Sequence, residues 1–366
     1  MSPLRLYNFP YVVQREIMDS LDLQTIFLLS ISSKRMNNLI VSVEKVRFNK
    51  IKYILYKLTN LASIEAVNYD DTSEVILRLQ PIDSHVTYSE KLSISGTSIE
   101  FDRSAQLSYE DLTLRFRWYS TTSKESVFVN QILESIQRHS DGLIGHTKEC
   151  RLYFLTYGRE FMLPKLRKVS GSSIFLLPSI DGKTLDEYCS ASPNQDFLQV
   201  RPEITSRLKN YSAFFGMKCV DFDDPNSLVV PELLRKFTGR QAFTRTSKIE
   251  SSDVIRFLKK WKSNESFENL ETLHVTLGYN SKRFNPAEIK NAIDIKILDG
   301  SVVYSCKRRI DIYQENSENV SIDSINYIVR EHDQRVASIV IEDEKFVIGV
   351  WNLTEGEFLK NFSRNI

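Results

Sequence analysis

Histidine and cysteine side chains supply most transition-metal ligands and many enzymatic nucleophiles, so their spacing limits the chemistry that a chain can carry out. The sequence contains five histidines and four cysteines, which are His85, His139, His146, His274, His332, Cys150, Cys189, Cys219 and Cys306. They lack the Cys-x-x-Cys and His-Glu-x-x-His spacings of metal sites, and no cysteine has the context of a known nucleophile. We therefore predict no metal site and no cofactor.

The glycines and the acidic pairs form no recognisable catalytic motif either. The 12 glycines are scattered, without the spacing of a phosphate-binding loop or of a Gly-x-Ser-x-Gly hydrolase turn. Asp70-Asp71 and Asp223-Asp224 lie beside turn residues, where short acidic side chains bend the backbone. His274 alternates with the apolar Leu273 and Val275, which predicts that it faces solvent on a strand. The chain is predicted not to be an enzyme, and an enzyme of unrecognised class is kept as a third hypothesis.

The charge balance gives the chain no general attraction to nucleic acid or to an anionic membrane. Lys and Arg total 48 and Asp and Glu total 47, so the formal net charge is +1. Two local basic clusters occur, at residues 165–168 and at Lys307-Arg308-Arg309. We interpret both as solvated strand or loop faces, with phosphate contact as the alternative. The predicted partners therefore include neither nucleic acid nor a membrane.

The N-terminus and the apolar runs predict an intracellular protein, in the cytoplasm or the nucleus. The N-terminus lacks the basic-then-apolar pattern of a secretory signal, and no apolar run approaches the roughly 18 residues that a membrane span needs. In such a chain the widely spaced cysteines are predicted to be reduced and buried or half-buried. Hydrophobic residues make up 42% of the chain, which is enough for a sizeable core. The length of 366 residues is enough for two or three domains.

Residues 4–46 have the pattern of short helices. The first glycine of the chain is Gly96, and no proline lies between Pro10 and Pro81, so the segment contains no helix breaker after its start. Pro10 suits the first turn of a helix, because its φ is fixed near the helical value. Apolar residues then recur every four positions, at Val13, Ile17 and Leu21.

The second predicted helix, at residues 23–31, is apolar on nearly all sides. Asp22 can cap its first turn, and Ser32 or Ser33 can cap a third helix. A helix that is apolar all round must be covered on both sides, and three short helices of about 40 residues bury too little surface to do so alone. The second helix must therefore be covered by the rest of the chain or by a partner protein.

Five groups of residues in this segment carry a family resemblance. They are Phe9-Pro10, Glu16-Ile17, Leu21-Asp22-Leu23, Phe27-Leu28-Leu29-Ser30 and Ser33-Lys34-Arg35. Their order and spacing resemble an F-box, the trihelical motif that binds the Skp-type adaptor of cullin–RING ubiquitin ligases. The usual leucine-proline start appears as Phe9-Pro10, and Met36 or Leu39 stands near the place of the usual tryptophan of the third helix.

The resemblance implies which residues dock on the adaptor. Large apolar anchors in a desolvated interface usually carry most of the affinity. The predicted docking residues are Phe9, Pro10, Ile17, Leu21, Leu23, Phe27 and Leu28. The alternative is that the helices form a layer on their own domain, in a protein-interaction scaffold without ligase function or catalytic activity.

Residues 61–120 change to a period of two, which is typical of half-buried antiparallel strands. The alternating segments are residues 74–79, 91–94, 98–101 and 112–118. Ser95-Gly96-Thr97, between the second and third of these segments, predicts a tight hairpin. Residues 123–138 follow as a helix with one apolar stripe.

From Cys150 onward, predicted strands and helices alternate. The predicted strands are residues 151–155, 217–222 and 269–277. One helix is predicted at residues 231–237, and a second begins at Ser252 or Asp253. The apolar face of the second consists of Val254, Phe257, Leu258 and Trp261. These helix–strand units resemble leucine-rich repeats, but no fixed period links them.

Residues 205–277 carry a second resemblance. A Leu-rich helix precedes a strand through Phe243, after which Ser251-Ser252-Asp253-Val254 opens a helix that leads to Asn269-Leu270-Glu271-Thr272-Leu273. This order resembles the type 2 F-box-associated domain of the large nematode set of F-box proteins. Residues 320–352 are predicted to be an antiparallel meander with turns at residues 332–334 and 342–344.

The predicted fold class is α+β. A three-helix F-box at residues 1–48 is followed by a mixed α/β body at residues 49–366, with antiparallel strands and irregular leucine-rich-repeat-like units. The resemblance implies a substrate-recognition adaptor of an SCF-type ubiquitin ligase, which docks on a Skp-type adaptor and through it on a cullin. The body is expected to hold a protein substrate that the sequence does not identify.

Overall fold

The computed structural model describes residues 6–59, 62–81, 90–102, 113–116, 123–156, 163–176, 179–223, 229–279, 281–309 and 319–362. Within these residues the protein is a mixed α/β protein, with helices at its N-terminus and a large strand-rich body. The predicted combination of N-terminal helices and a β-sheet body is confirmed. The chain divides into two compact units, Met1–Val169 and Ser170–Ile366.

The first unit contains five helices and seven strands among its described residues. The helices are α1 (Tyr11–Asp19), α2 (Leu23–Ser32), α3 (Lys34–Val43), α4 (Lys45–Lys50) and α5 (Ser123–Ile144), after a 3-10 turn at Leu6–Asn8. The strands are β1 (Ile51–Leu58), β2 (Ala62–Asn68), β3 (Ser73–Pro81), β4 (Glu90–Ile94), β5 (Thr97–Asp102), β6 (Thr113–Phe116) and β7 (Glu149–Thr156). The predicted boundary after residue 48 stays a prediction, since α1–α4 and β1–β7 share one compact unit.

The sheet of the first unit has the strand order β7-β1-β2-β3-β6-β5-β4. β1, β2 and β3 are antiparallel neighbours, as the period of two predicts. β1 also pairs in parallel with β7, and β3 with β6, which links segments far apart in the chain. No local sequence pattern identifies these two parallel pairs, so they were not predicted.

The hairpin predicted at Ser95-Gly96-Thr97 is confirmed. β4 and β5 are antiparallel, and Ile94 pairs directly with Thr97 across a two-residue turn. Ser95 and Gly96 have φ values of 48° and 86°. Both turn residues therefore have positive φ, the backbone that two-residue hairpin turns of type I′ require and that glycine adopts at no steric cost. The strand predicted at residues 112–118 lies partly outside the described residues.

The second unit contains five further helices and eleven strands among its described residues. The helices are α6 (Gly182–Ala191), α7 (Val229–Lys236), α8 (Ser251–Lys262), α9 (Pro286–Ala292) and α10 (Glu355–Phe362), with a 3-10 turn at Ala213–Gly216. The strands are β8 (Val169–Leu176), β9 (Ser179–Ile180), β10 (Phe197–Val200), β11 (Glu203–Ile204), β12 (Cys219–Asp223), β13 (Gln241–Thr246), β14 (Thr272–Leu277), β15 (Lys296–Lys307), β16 (Asn319–Val329), β17 (Arg335–Ile341) and β18 (Lys345–Thr354).

The main sheet of the second unit is parallel at one end and antiparallel at the other. β8, β10, β12, β13 and β14 are parallel and adjacent in chain order, and β18, β17, β16 and β15 continue the sheet antiparallel. The meander predicted at residues 320–352 is confirmed by β16–β18.

Leucine-rich-repeat-like units in the second unit are not confirmed. Leu198 pairs with Val220 after 22 residues, whereas Gln241 pairs with Thr272 after 31. The spacing between successive parallel strands is therefore not that of a regular repeat.

The two faces of this sheet are covered differently. On one face α8 packs, with the ring of Phe257 in edge contact with Phe346 of β18 at 5.8 Å. The predicted apolar face of α8 is confirmed, because Val254, Phe257, Leu258 and Trp261 are all buried. On the opposite face Tyr304 of β15 lies against Gly349, where an added Cβ would meet its ring at 2.4 Å. The side chains of Asp221, Phe243 and His274, which are register neighbours on β12, β13 and β14, also point to this second face.

Candidate functional site

The first three helices begin where the sequence predicts. Pro10 is the residue before α1, with φ −54° and ψ 148°. The Asp22 carboxylate accepts a hydrogen bond from the Thr25 N–H at 2.6 Å, and the Ser33 hydroxyl accepts one from the Met36 N–H at 3.1 Å. Each cap satisfies a backbone donor that the first helical turn leaves free. The two caps fix where α2 and α3 begin.

The chain itself covers helix α2. Leu23, Ile26 and Phe27 are 3%, 0% and 0% exposed. α2 packs on α3 and on strand β3. The Phe27 ring meets the edge of the His139 ring of α5 at 5.2 Å, and the Ser30 hydroxyl lies 2.7 Å from His139 Nε2. The first unit therefore covers one side of α2, while Leu28, Leu29 and Ile31 on the helix are half-buried.

Helix α1 turns much of its apolar surface outward. Its buried side chains are Gln14 and Met18. The side-chain amide of Gln14 donates a hydrogen bond to the Phe9 carbonyl at 2.9 Å, so this buried polar group has a partner. Tyr11, Val12 and Val13 are 56%, 67% and 38% exposed. Consecutive helical positions lie about 100° apart, so these three side chains make most of the outward side of α1 apolar. Exposed apolar surface of this kind can mark an interaction site. We call Pro10, Tyr11, Val12, Val13 and Ile17 the α1 face.

The seven predicted docking residues fall into three groups. Pro10 is exposed, on the α1 face. The side chains of Phe9, Ile17, Leu21 and Leu28 are half-buried.

The third group, Leu23 and Phe27, is buried in the first unit and offers no surface to a partner. The F-box resemblance implied that both dock on the partner. The apolar pattern of α2 could not correct this, because it is the same whether the chain itself or a partner covers the helix.

Sequence reasoning also missed Tyr11, Val12 and Val13. The available signal was an apolar run of three residues directly after Pro10, at the start of a predicted helix. The four-residue spacing of Val13, Ile17 and Leu21 was recognised, but a periodic stripe does not reveal whether it faces the core. In the structure the inward side of α1 is instead Gln14 and Met18.

An arginine ties these helices to the sheet of the first unit. Arg47 donates to the Leu21 carbonyl at 2.8 Å and to the Glu74 carboxylate of β3 at 2.6 Å. It also forms a 3.6 Å ion pair with Glu44, whose side chain is fully buried. Burial raises the pKa of Glu44, and the charge of Arg47 opposes that shift. The Arg47 contacts hold the loop after α1 at a fixed place on β3.

The match to protein-family models coincides with these helices. Residues 6–48 match the F-box domain. The segment is an F-box. It comprises α1, α2, α3 and most of α4, so the α1 face, the α2 core and Arg47 all belong to it. Comparisons with the curated proteins and with the solved structures give no match.

The F-box points to an adaptor role in an SCF ubiquitin ligase. F-box domains bind Skp-type adaptors within cullin-containing SCF complexes, and F-box proteins are typically adaptors rather than enzymes. No match supports the type 2 F-box-associated domain or a nematode source for the chain.

Among the described residues, no group of histidine, cysteine and acidic side chains is arranged to hold a metal ion. No helix in the same residues is long and apolar enough to cross a membrane. The cysteines are placed as predicted, with Cys150, Cys189 and Cys219 buried and Cys306 half-buried.

The prediction that His274 faces solvent is wrong. Its ring packs on Phe243 with the ring centroids 5.0 Å apart. Burial, together with the nearby charges of Lys345 and Arg308, lowers the pKa of His274 to about 4. The alternation with Leu273 and Val275 was interpreted correctly as a strand, but the face opposite the helices is partly covered as well.

Proposed function

We propose that the protein is a substrate-recognition adaptor of an SCF-type ubiquitin ligase, which docks on a Skp-type adaptor through its F-box and thereby on a cullin. The observation that carries this proposal is the F-box match at residues 6–48, combined with the exposed apolar α1 face inside it. The chain itself performs no catalytic step. It acts by bringing a bound protein close to the ligase, which raises the effective concentration of the reacting groups.

The docking surface is the α1 face with its half-buried neighbours Leu21 and Leu28. Val12 and Val13 lose their exposed area when a partner covers them, and each square ångström of apolar surface removed from water contributes about 25 cal/mol. Leu23 and Phe27 support this surface from beneath, since they pack α2 against the rest of the first unit. They affect docking only through the fold.

In this proposal the remainder of the chain binds the protein substrate, and the complex works inside the cell. The helix-then-strand order of residues 205–277 supports a type 2 F-box-associated domain, with α7, β13, α8 and β14 in the predicted sequence. A nematode source and a leucine-rich-repeat-like arrangement belong to the same proposal. Neither nucleic acid nor a membrane is part of it, because the net charge of +1 gives no general attraction to either.

The alternative proposal is a protein-interaction scaffold without ligase function. The burial of Leu23 and Phe27 by the first unit favours it, since a helical layer that seals its own apolar surface needs no adaptor. The exposed α1 face favours the ligase adaptor, because a self-contained layer has no reason to leave Tyr11, Val12 and Val13 uncovered.

A co-purification experiment separates the two proposals. We expect the full chain to retain a Skp-type adaptor and a cullin from an extract, and the double variant Ile17→Ala with Leu21→Ala to retain at least about tenfold less, because truncated apolar anchors lose interface contacts. Circular dichroism should show both proteins folded. Equal recovery of the adaptor with the double variant would contradict the docking assignment, and no recovery with the unaltered chain would favour the scaffold.

A further inference from the structure

The second unit has a cleft at the carboxyl ends of its parallel strands. Arg201 follows β10, Asp223 ends β12, and Arg245 and Thr276 lie near the ends of β13 and β14. These residues, with others, line a cavity of about 480 Å³. Crevices at this end of parallel strands are common ligand sites, because the loops that follow the strands leave an opening there. We call this cavity and its lining the cleft.

A buried carboxylate organises the floor of the cleft. Asp221 is 4% exposed and accepts two hydrogen bonds from Arg201, at 3.0 and 2.7 Å. Arg308 donates to the same carboxylate at 2.9 Å, and Gln199 donates at 3.1 Å. One carboxylate therefore holds two guanidinium groups in place. Both arginines are about one third exposed, so they also face the cleft.

The lining has more positive than negative charge. Among the described residues that line the cavity, Arg201, Arg245 and Arg308 carry three positive charges, against Asp221 and Asp223. Arg245 lies 3.7 Å from Asp223 and is about half exposed, so this pair is loose. His274 is neutral near pH 7. Burial is the main cause that lowers its pKa to about 4, and the positive charges of Lys345 and Arg308 add to the shift. The cleft is left with one unmatched positive charge.

Three buried polar atoms in the cleft lack a hydrogen-bond partner among the described residues. They are Arg308 Nε, His274 Nε2 and Thr244 Oγ1. Buried polar groups are nearly always paired in native proteins, so unpaired atoms beside a cavity indicate a missing ligand. Arg308 Nε can only donate, so that ligand must supply an acceptor. The Arg308 guanidinium also lies 4.5 Å from the centre of the Phe243 ring, which keeps it in a fixed plane above the strand.

A second cavity extends the cleft. It has a volume of about 610 Å³ and shares Arg245 and Thr276 with the first. Tyr279 lines this second cavity and is 96% exposed, and Arg283 beside it is paired with Asp343 and Glu344. Two joined cavities with an exposed aromatic residue fit an extended chain better than a compact small molecule. Exposed tyrosines are typical anchors for protein partners.

We propose that the cleft binds an extended acidic segment of a partner protein and places one of its carboxylates against Arg245 and Arg308. A carboxylate matches the planar guanidinium fork and carries the single negative charge that the lining lacks. A polyanion such as nucleic acid fits worse, because Asp221 and Asp223 face the same space. This proposal rests on the proposed function in one respect, which is that the partner is the substrate of the ligase.

The test is the affinity of the full chain for labelled peptides, measured by fluorescence anisotropy. The probe is an eight-residue peptide of alternating glutamate and serine with a fluorescein label, and its controls carry glutamine or phosphoserine in place of glutamate. We expect the glutamate peptide to bind at least about tenfold more tightly than the glutamine peptide, because charge-assisted hydrogen bonds are about twice as strong as neutral ones. Equal binding of these two peptides would overturn the proposal.

Three single substitutions test whether the glutamate peptide binds in the cleft. Arg245→Gln and Arg308→Gln should each weaken binding of the glutamate peptide about tenfold, because each removes one charge-assisted contact. Arg309→Gln is the matched control, since Arg309 follows Arg308 but pairs with Glu271 outside the cavity. It should change binding less than about twofold. An equal loss in Arg309→Gln and Arg308→Gln, or tighter binding of the phosphoserine peptide only, would contradict the carboxylate site.

The same variants separate this inference from the adaptor proposal. Arg245→Gln and Arg308→Gln lie in the second unit, whereas the F-box is in the first. Each variant should therefore recover the Skp-type adaptor as well as the unaltered chain does. Loss of peptide binding with normal adaptor recovery supports the cleft as a separate site. Peptide binding that survives both Arg245→Gln and Arg308→Gln overturns the cleft assignment whether or not the adaptor binds.

Discussion

The α1 face and the cleft of the second unit are both open surfaces, but they have opposite chemistry. The α1 face consists of proline, tyrosine, valine and isoleucine side chains on one short helix. The arginines and aspartates of the cleft lie on β12 and β13 and directly after β10 and β15. The first surface derives its binding energy from apolar area and needs no charged partner. The second depends on charge and on the geometry of guanidinium groups.

A second contrast lies inside the F-box. α1 and α2 are neighbouring helices of similar length, yet Leu23, Ile26 and Phe27 of α2 are buried in their own unit while α1 leaves three consecutive residues more than one third exposed. A helix in the middle of a sequence motif can thus be structural while its neighbour is the contact surface. The distinction separates residues that bind from residues that only support binding.

The contrast between α2 and α1 predicts the largest effect on stability. Phe27→Ala removes a fully buried ring and should lower the free energy of unfolding of the first unit by about 3–5 kcal/mol. Val12→Ala, at a 67% exposed position, should change it by less than about 0.5 kcal/mol. Urea denaturation of both variants measures the difference. A stable Phe27→Ala protein would show that α2 is not part of the core.

The contrast between charged and uncharged surroundings predicts how two histidines respond to salt. The pKa of His274 is lowered to about 4 by burial and by Lys345 and Arg308, whereas the pKa of His139 in the first unit is lowered by burial alone. Salt screens charges but not burial, so added salt should raise the pKa of His274 and leave that of His139 nearly unchanged. Titration by NMR measures both, and equal responses would contradict the positive field of the cleft.

The lowered pKa of His274 makes the stability of the folded protein depend on pH. Between pH 6.5 and 4 the unfolded chain binds a proton at residue 274 that the folded chain does not, so stability falls as pH falls through this window. The loss from this group is roughly 3 kcal/mol. His274→Gln should remove that part of the acid sensitivity. An unchanged pH profile in the variant would show that another group causes it.

Local features of the fold could be predicted from the sequence, and features that depend on distant segments could not. The turn at Ser95-Gly96, the caps Asp22 and Ser33 and the buried face of α8 all follow from residues within one or two turns of each other. The parallel pairings of β1 with β7 and of β3 with β6 join segments that no local pattern connects.

The candidate sites show the same limit. The F-box could be recognised from its spacing, but the outward direction of α1 depends on how Gln14 and Met18 pack. The cleft was not predictable, because Arg201, Asp221, Arg245 and Arg308 meet only through strands that pair at long and unequal intervals. Lys307-Arg308-Arg309 is recognisable in the sequence as a basic cluster, but nothing in that pattern places Arg308 against Asp221.

The most direct test of the central claim, that the α1 face docks on a Skp-type adaptor, is the adaptor affinity of two matched variants. Val12→Asp and Val46→Asp each introduce a carboxylate at an exposed valine of the F-box, at positions 67% and 61% exposed. By isothermal titration calorimetry, Val12→Asp should bind the adaptor at least about tenfold more weakly than the unaltered chain, because a charge is buried in an apolar interface. Val46→Asp should bind within about twofold of it. Unchanged affinity in Val12→Asp would contradict the account.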